Sequence, residues 1–223
     1  MLDFIRIACA VPAVKVGDVE KNTADICAYM EKADAQNVEI IVFPELALTG
    51  YSCADLFFQD SLLDAVKVGL RQVAFCSGKY PKLTAVVGLP IMIGTKLYNC
   101  AALLYRGEIL GVVPKTNLPN YDEFGELRWF TPAPKEVSSI FLCGSYVPFG
   151  AGMLFQCDEA PDFTVGLEIC EDLWVPVPPS VEMCRNGAAI IANLCASHDA
   201  AGHPRSIRTL VEANSRRCHC GYI

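Results

Sequence analysis

The sequence predicts a mixed α/β fold in which two β-sheets pack together and helices cover their outer faces. Of the 223 residues, 52% are hydrophobic, and a chain of this size can bury a substantial core. Strand-like segments alternate with helical segments toward each end of the chain, and hairpin-like pairs of strands occupy the middle. Two packed sheets with helices outside are a stable way to bury such a mixture. No internal repeat, low-complexity tract or linker interrupts it, so we expect one domain.

Eight apolar segments predict β-strands because they are bounded by turn residues and rich in Val, Ile, Leu and Phe. In chain order they lie at 4–11, 38–43, 83–93, 97–105, 108–115, 152–157, 163–170 and 188–195. Pro44 stops the second of these segments. The turn RGE lies between the fourth and the fifth, and therefore predicts a hairpin.

Four segments have the features of helices. Asp18 is a suitable N-cap for a helix that extends to about Asn37. Within that helix, Ile26, Met30 and Ala33 recur at spacings of four and three, as one buried face requires. The other three helical segments lie at 60–77, within 175–187 and at 204–219.

A long polar segment separates the two groups of strands. Residues 116–137, TNLPNYDEFGELRWFTPAPKEV, combine prolines, charges and aromatic side chains without a helix or strand period. Loops of this length inside a compact domain are usually functional. We therefore expect 116–137 to contribute to a binding or catalytic site.

The charge of the chain restricts its partners. The formal net charge is −7 at pH 7, so the sequence offers no basic surface for nucleic acid, and an anionic membrane would repel it. The longest apolar runs are far shorter than the roughly 18 residues that cross a bilayer. The sequence thus predicts a small molecule or another protein as the partner, with no nucleic acid and no membrane.

Twelve cysteines are scattered through the chain, mostly inside apolar runs. The N-terminal segment carries Asp3 and only a short apolar run, unlike a signal peptide, which favours a cytoplasmic protein with reduced thiols. Most of the cysteines are therefore expected to be small core side chains. Cys218 and Cys220 could be grouped with His198 or His203, but they lack the CxxC spacing of zinc sites, and no metal is expected.

Three reactive side chains follow predicted strands directly: Glu45, Lys115 and Cys170. Active sites of layered α/β folds commonly lie just beyond the ends of strands. A lysine ammonium near Cys170 would favour its thiolate, and a buried glutamate could accept the thiol proton. The alternative is that Glu45 and Lys115 are solvated strand ends and Cys170 only packs in the core. The spacing of the three residues does not decide between these interpretations.

The acids that follow Cys170 are unusual neighbours for a nucleophile. Glu171 and Asp172 should raise the pKa of the thiol and make it less reactive. Because successive side chains diverge, however, neither acid has to face the sulfur. A nucleophilic Cys170 therefore requires a compensating cation from elsewhere in the chain, and Lys115 is the candidate.

The segments around these three residues resemble the nitrilase, or carbon–nitrogen hydrolase, superfamily. They are FPELALTGYSCADLF, VVPKTN with the following LPNYDEFGELRWF, and GLEICEDLWVPVPPS. Within that superfamily they are similar to the glutaminase domains of glutamine-dependent NAD synthetases, and the similarity runs from the first strand to the end of the chain. It implies a four-layer α-β-β-α sandwich.

The resemblance also implies a set of catalytic residues. Glu45 matches the general base, Lys115 the residue that stabilises the oxyanion, and Cys170 the nucleophile. Glu126, in GELRWF, matches a second glutamate that orients the lysine. No cofactor is implied for hydrolysis of the amide, and no metal.

Six further residues are implied in substrate binding by their places in these motifs: Tyr51, Tyr121, Phe124, Glu171, Ser197 and His203. Relatives typically have NLSASP followed by a glycine and then Lys or Arg, which meets the substrate carboxylate. Here the segment is NLCASHDAAGHPRSIR, so His203 follows Gly202 where the cation is expected. Arg205 or Arg208 could substitute for that cation, or the backbone alone could bind the substrate.

The resemblance further implies that residues 1–223 are a carbon–nitrogen hydrolase domain that lacks its last C-terminal strands. In the family, a segment like the final GYI begins a further strand, and an ATP-dependent synthetase domain follows. The phosphate-binding SGGxDS motif of that domain does not occur here. ATP, Mg and deamido-NAD would belong to that absent domain. A synthetase domain or subunit is the expected protein partner, and association into a homo-oligomer is expected as well.

Three hypotheses follow for function. The first is hydrolysis of the glutamine side-chain amide through a cysteine thioester, supplying ammonia for amidation of deamido-NAD to NAD. The second is an amidase of the same superfamily that acts on another amide, for which the altered segment 198–208 is the reason. The third is an inactive, truncated subunit that only binds a partner.

Overall fold

The computed structural model describes residues 4–198 and 200–223. Asp3, which entered the N-terminal prediction, lies outside the described residues, and so does Asp199 in the altered segment 198–208. The described residues form eleven strands and four α-helices.

The larger sheet has seven strands in the order β1-β2-β3-β4-β5-β7-β6. Their bounds are β1 Ile7–Cys9, β2 Ile40–Val42, β3 Thr84–Ile93, β4 Lys96–Tyr105, β5 Glu108–Pro114, β6 Ser138–Leu142 and β7 Ser145–Phe149. The first three strands are parallel, and β3, β4 and β5 form an antiparallel meander. Strands β2 and β5 therefore run in the same direction and end at the same edge of the sheet, where both can carry functional side chains.

The smaller sheet has four strands in the order β11-β10-β9-β8. Their bounds are β8 Leu154–Cys157, β9 Ala160–Ile169, β10 Ile190–Leu194 and β11 Gly221–Tyr222. Strands β9 and β10 are parallel and pair in register from Val165 with Ile190 to Ile169 with Leu194. The residues that follow these two strands consequently lie side by side.

Alternating side chains of the two sheets form the layers of the fold. Val42, Val86 and Leu103 of the larger sheet pack against Leu167 and Ala192 of the smaller one. On the opposite face of the larger sheet lie helices α1 (Val19–Ala35) and α2 (Asp60–Ser77). Helices α3 (Pro179–Arg185) and α4 (His203–Cys218) cover the outer face of the smaller sheet. The predicted four-layer α-β-β-α sandwich is confirmed.

Most predicted elements are present with bounds that shift by a few residues. Asp18 caps α1 by accepting a hydrogen bond from the Lys21 N–H, as predicted. The hairpin β6–β7 was not predicted, because its two short strands carry exposed polar residues and lie at the end of the larger sheet, with β6 as the edge strand. Cys170 was predicted to be the last residue of a strand, but it is the first residue of a short 3-10 turn, Cys170–Leu173.

The cysteines are less buried than expected. All twelve are free thiols, of which five are buried, six are half-buried and Cys9 is exposed. The prediction that most of them are core residues holds only in part, because several lie at the edges of the hydrophobic clusters. Among residues 4–198 and 200–223, no helix is long and apolar enough to cross a bilayer.

Candidate active site

The structure brings the three reactive side chains to one end of the paired sheets. Glu45 follows β2 and Lys115 follows β5 in the larger sheet, whereas Cys170 follows β9 in the smaller sheet. All three are buried, with exposed fractions of 2%, 1% and 8%. Glu45 and Lys115 are therefore not solvated strand ends.

Lys115 lies between two buried carboxylates. Its Nζ is 2.7 Å from Glu45 Oε1 and 2.6 Å from Glu126 Oε1, and the three side chains are almost inaccessible to solvent. A buried lysine requires such partners, because an unpaired ammonium inside a protein is strongly unfavourable. Glu126 comes from the 3-10 turn Glu126–Arg128 in the long loop, so this ion pair also fixes the loop to the sheet.

Polar groups from three other elements complete this network. Asn99 Nδ2 in β4 donates to Glu45 Oε1 at 2.7 Å, and the Tyr51 hydroxyl donates to Glu126 Oε1 at 2.8 Å. The backbone N–H of Ala196 donates to Glu45 Oε2 at 3.1 Å and so connects the network to the end of β10. We call Glu45, Asn99, Lys115 and Glu126 the charged floor of the site.

Close packing of the backbone positions Glu45. A Cβ atom on Gly88 in β3 would lie 2.3 Å from the Pro44 carbonyl oxygen and 2.4 Å from the Leu46 N. Only glycine allows the segment around Glu45 to approach β3 this closely. Leu46, the next residue, has a φ of +52°, which shows how sharply the chain turns there.

The charges of the floor shift one another's pKa values. Burial alone would lower the pKa of Lys115, but the carboxylates of Glu45 and Glu126 outweigh it and raise that pKa above its usual value. Burial and the charge of Glu45 raise the pKa of Glu126 to about 7, even though Lys115 counteracts them. The floor thus combines a fixed positive charge with two carboxylates, a combination that can stabilise an oxyanion and transfer a proton.

The backbone at Cys170 is tightly specified. Cys170 has a φ of +44°, and its N–H donates to Asn193 Oδ1 at 2.9 Å. A non-glycine residue in this region is strained and is held only where its surroundings over-determine it. The thiol lies 3.4 Å from the Cys195 thiol, the residue after β10. The bond to Cys195, burial and Glu45 raise the pKa of Cys170, whereas Lys115 lowers it.

Asp172 ties the Cys170 turn to the segment after Lys115. Its carboxylate accepts hydrogen bonds from the backbone N–H groups of Ile169 and Asn117, at 3.1 and 2.8 Å, and from Asn117 Nδ2. Burial nevertheless raises the pKa of Asp172 to about 6. Asp172 is therefore directed away from the sulfur and joins the two sheets at the site.

A more exposed group of side chains comes from the loop after Lys115, the turn at Cys170 and the segment after Cys195. The Tyr121 hydroxyl donates to Glu171 Oε2 at 2.8 Å, and Ser197 Oγ lies 2.7 Å from His203 Nε2. The rings of Phe124, His198, His203 and Trp174 follow one another with centroids 5.5, 4.3 and 5.5 Å apart. We call Tyr121, Phe124, Trp174, His198 and His203 the aromatic rim.

The two alternative cations lie further along α4 than His203. Arg205 and Arg208 are exposed on α4, where Arg208 pairs with Glu212 at 3.4 Å. Arg205 lines, together with Trp174, a surface groove of about 490 Å³. Of the three side chains considered for the position of the cation, His203 is the one that contacts Ser197.

Sequence reasoning missed four residues that support the site: Asn99, Asn193, Asp172 as a tether, and Cys195. Asn99 and Asn193 each interrupt an apolar strand, and a polar residue there needs a buried partner. That interruption is the signal that could have identified them. Tyr51, expected in substrate binding, is half-buried with its hydroxyl on Glu126, so it contacts the floor.

Comparisons with known proteins show what this chain is similar to. The family model described as carbon-nitrogen hydrolase matches residues 6–217. The glutamine-dependent NAD(+) synthetase of Mycobacterium bovis is 38% identical over 220 residues, which cover 99% of this chain and 32% of the relative. The chain thus spans about a third of the length of this relative.

Two solved structures share the fold. A glutamine-dependent NAD(+) synthetase from Cytophaga hutchinsonii has a TM-score of 0.85 and 32% identity, over 98% of this chain and 35% of that one. A nitrilase-superfamily amidase from Nesterenkonia has a TM-score of 0.75 over 98% of this chain and 76% of that one, at 17% identity. With a family model that covers nearly the whole chain, this protein belongs to the carbon–nitrogen hydrolase family.

Proposed function

We propose that this chain hydrolyses the side-chain amide of glutamine through a thioester on Cys170. The observation that carries the proposal is the fully buried Lys115, held between Glu45 and Glu126 next to a strained, buried thiol. The similarity to glutamine-dependent NAD synthetases over 99% of the chain supports glutamine as the source of the amide.

In the proposed reaction, Glu45 accepts the thiol proton as the Cys170 sulfur attacks the amide carbon. Lys115 and the backbone N–H of Glu171 donate to the oxyanion, and one such donor typically contributes about 3 kcal/mol to the transition state. Glu45 then gives the proton to the departing ammonia. Water attacks the thioester with Glu45 as the base, and glutamate leaves. Glu126 positions Lys115, and Tyr51 positions Glu126 through its hydroxyl.

The rim supplies the proposed substrate contacts. Tyr121, Ser197 and Phe124 line the approach to the thiol, Glu171 suits the substrate ammonium, and His203 suits the substrate carboxylate. Hydrolysis needs only side chains and water. The ammonia serves amidation of deamido-NAD by a synthetase domain or subunit, to which ATP and Mg belong, and the chain associates into a homo-oligomer.

A second candidate is hydrolysis of another amide by the same residues. One observation favours it: His203 Nε2 is bonded to Ser197, and its ring lies between His198 and Trp174, so the rim differs from one with a free Lys or Arg. A panel of primary amides, with and without an α-carboxylate, separates the two candidates. A preference for amides that lack the carboxylate would favour the second.

The decisive experiment measures ammonia release from glutamine for the wild-type chain, Cys170→Ala and a control, Cys157→Ser, which removes a half-buried thiol on β8. The probe 6-diazo-5-oxo-norleucine is then mapped by peptide mass spectrometry. We expect turnover in the wild type and the control, none in Cys170→Ala, and the probe on Cys170. A folded wild-type chain that neither releases ammonia nor takes up the probe would overturn the proposal.

A further inference from the structure

Two thiols meet at the end of the smaller sheet. Ile169 and Leu194, the last residues of β9 and β10, are paired, and Cys170 and Cys195 are the residues that follow them. Adjacent strands are about 4.8 Å apart, so residues that follow paired strand ends begin close together. The two sulfur atoms are 3.4 Å apart.

We propose that Cys170 and Cys195 form an oxidative modification site, at which a hydroperoxide joins them in a reversible disulfide that blocks the active site. The sulfur atoms have to approach by only about 1.4 Å to reach the bonded distance of about 2.05 Å. A small rotation of the two side chains would therefore suffice.

The surroundings of the pair favour one thiolate. The hydrogen bond to Cys170 lowers the pKa of Cys195, and the positive charge of Lys115 acts in the same direction, against burial and Glu45. The same bond raises the pKa of Cys170, so Cys195 is the sulfur of the pair that loses its proton more readily. Cys195 is also the more accessible of the two, being half-buried. It is thus suited to meet the oxidant first.

The proposed reaction has two steps. The Cys195 thiolate attacks one oxygen of the hydroperoxide; an S–O bond forms, the O–O bond breaks, and the leaving oxygen takes up a proton. The Cys170 sulfur then displaces water from the Cys195 sulfenic acid, with the Cys170 thiol proton leaving in that water. For hydrogen peroxide, two thiols and one peroxide give one disulfide and two waters. An added dithiol reverses the change by exchange.

Two other pairs of neighbouring thiols differ from this pair in the pKa of one member. Cys27 contacts Cys76, but burial and that contact raise the pKa of Cys27 to about 12. Cys184 contacts Cys220, and burial likewise raises the pKa of Cys184. Reaction with peroxide requires the thiolate, so Cys27 and Cys184 should react more slowly than Cys195. They serve as internal controls in the same sample.

The test maps disulfides after graded hydrogen peroxide without reduction. Trypsin cleaves after Arg185 and separates Cys170 from Cys195, but it leaves Cys143, Cys157, Cys170 and Cys184 in one peptide, so an Asp/Glu-specific protease is added. We expect a 170–195 linked peptide at the lowest effective dose, before any 27–76 link. Thermal unfolding of each sample verifies that the protein is folded.

Variants connect the link to its effect on the site. In the wild type and in Cys9→Ser, which removes an exposed thiol, peroxide should abolish ammonia release and dithiothreitol should restore it. In Cys195→Ser, compared with its own untreated rate, the loss should become resistant to dithiothreitol as the peroxide dose rises, because a Cys170 sulfenic acid without a neighbouring thiol is oxidised further to sulfinic acid.

Two results would overturn the inference. One is oxidation of Cys170 or Cys195 to sulfinic acid in folded wild-type protein without the linked peptide. The other is appearance of the 27–76 link at the same dose as the 170–195 link. Because the peptide map needs no substrate, it also decides the question if glutamine hydrolysis itself is not found, so the two proposals fail separately.

Discussion

The charged floor and the aromatic rim are two parts of the same candidate site, yet they are built differently. The floor consists of side chains that are each at most 2% exposed, and Lys115 contacts both carboxylates. The rim comes from loops and the start of α4, and Tyr121 and Trp174 are 50% and 38% exposed. Its polar contacts join exposed or half-buried partners such as His198 and Glu123.

This difference separates chemistry from specificity. A buried ion network tolerates few changes, because removing one member leaves a charge without a partner in a low dielectric. Exposed contacts are weak and can be replaced, so the rim can vary while the floor stays the same. The substitution of a histidine at position 203, where a cation was expected, falls in the rim. We therefore expect changes in the floor to abolish activity and changes in the rim to modify substrate affinity.

The largest effect is predicted for Lys115→Met. Two buried carboxylates would lose their common partner, which typically costs about 3–5 kcal/mol of stability. Loss of the oxyanion donor should lower kcat by about 10³-fold. Urea unfolding and ammonia release measure the two effects separately.

A double variant sharpens this prediction. Lys115→Met with Glu126→Gln removes one of the orphaned charges and should recover part of the lost stability but none of the activity. If the double variant regained activity as well, Lys115 would serve only to stabilise the floor.

Gly88→Ala should have the next largest effect. The added Cβ would lie 2.3 Å from the Pro44 carbonyl oxygen, so the segment that carries Glu45 has to move. Displacement of a catalytic group by about 1 Å can reduce the rate about 10²-fold. The matched control is Gly125→Ala, next to Glu126, where a Cβ would meet no atom within 4 Å. Similar losses of ammonia release in both variants would contradict the prediction.

Asp172 should make activity and stability respond to pH in opposite directions. Its pKa is raised to about 6, so protonation weakens its bonds to Ile169 and Asn117, and activity should decline as the pH falls through about 6. The folded protein binds this proton more tightly than the unfolded chain, whose Asp has a pKa of about 3.9. The contribution of Asp172 to the free energy of unfolding should therefore decrease as the pH rises from 4 to 6, by on the order of 3 kcal/mol.

Asp172→Asn isolates this contribution, since an amide does not titrate. Unfolding free energies of the wild type and the variant are compared at intervals from pH 4 to pH 7, together with their rates. A constant difference across this range would show that Asp172 titrates at its ordinary pKa.

The smallest effect is predicted for the rim. His203→Ala removes one half-exposed contact to Ser197, which typically contributes about 1 kcal/mol. KM for glutamine should rise about fivefold with little change in kcat. Arg205→Ala and Arg208→Ala are the matched controls, because they test the other two cations. A larger rise of KM in either arginine variant would assign carboxylate binding to that arginine instead of His203.

Particular residues show how far sequence reasoning reached at the site. Glu45, Lys115 and Cys170 were found because each follows a recognisable apolar run, and Glu126 because its motif resembles a family. Asn99 and Asn193 were missed, although each is a polar residue inside such a run. The hydrogen-bond partner of Asn99 is 54 residues away in the chain, and that of Asn193 is 23 residues away, so no local pattern identifies either partner.

The sequence by itself determined the layers of the fold and the reactive residue types. Apolar periodicity, turn residues and the cap at Asp18 act over a few neighbouring residues, so these local preferences can be inferred directly from the sequence. Only the tertiary structure decided that Lys115 joins Glu45 across 70 residues, that Asp172 is directed away from the sulfur, and that Cys195 meets Cys170. These contacts depend on strand order and register, which are set when two sheets bury a common core.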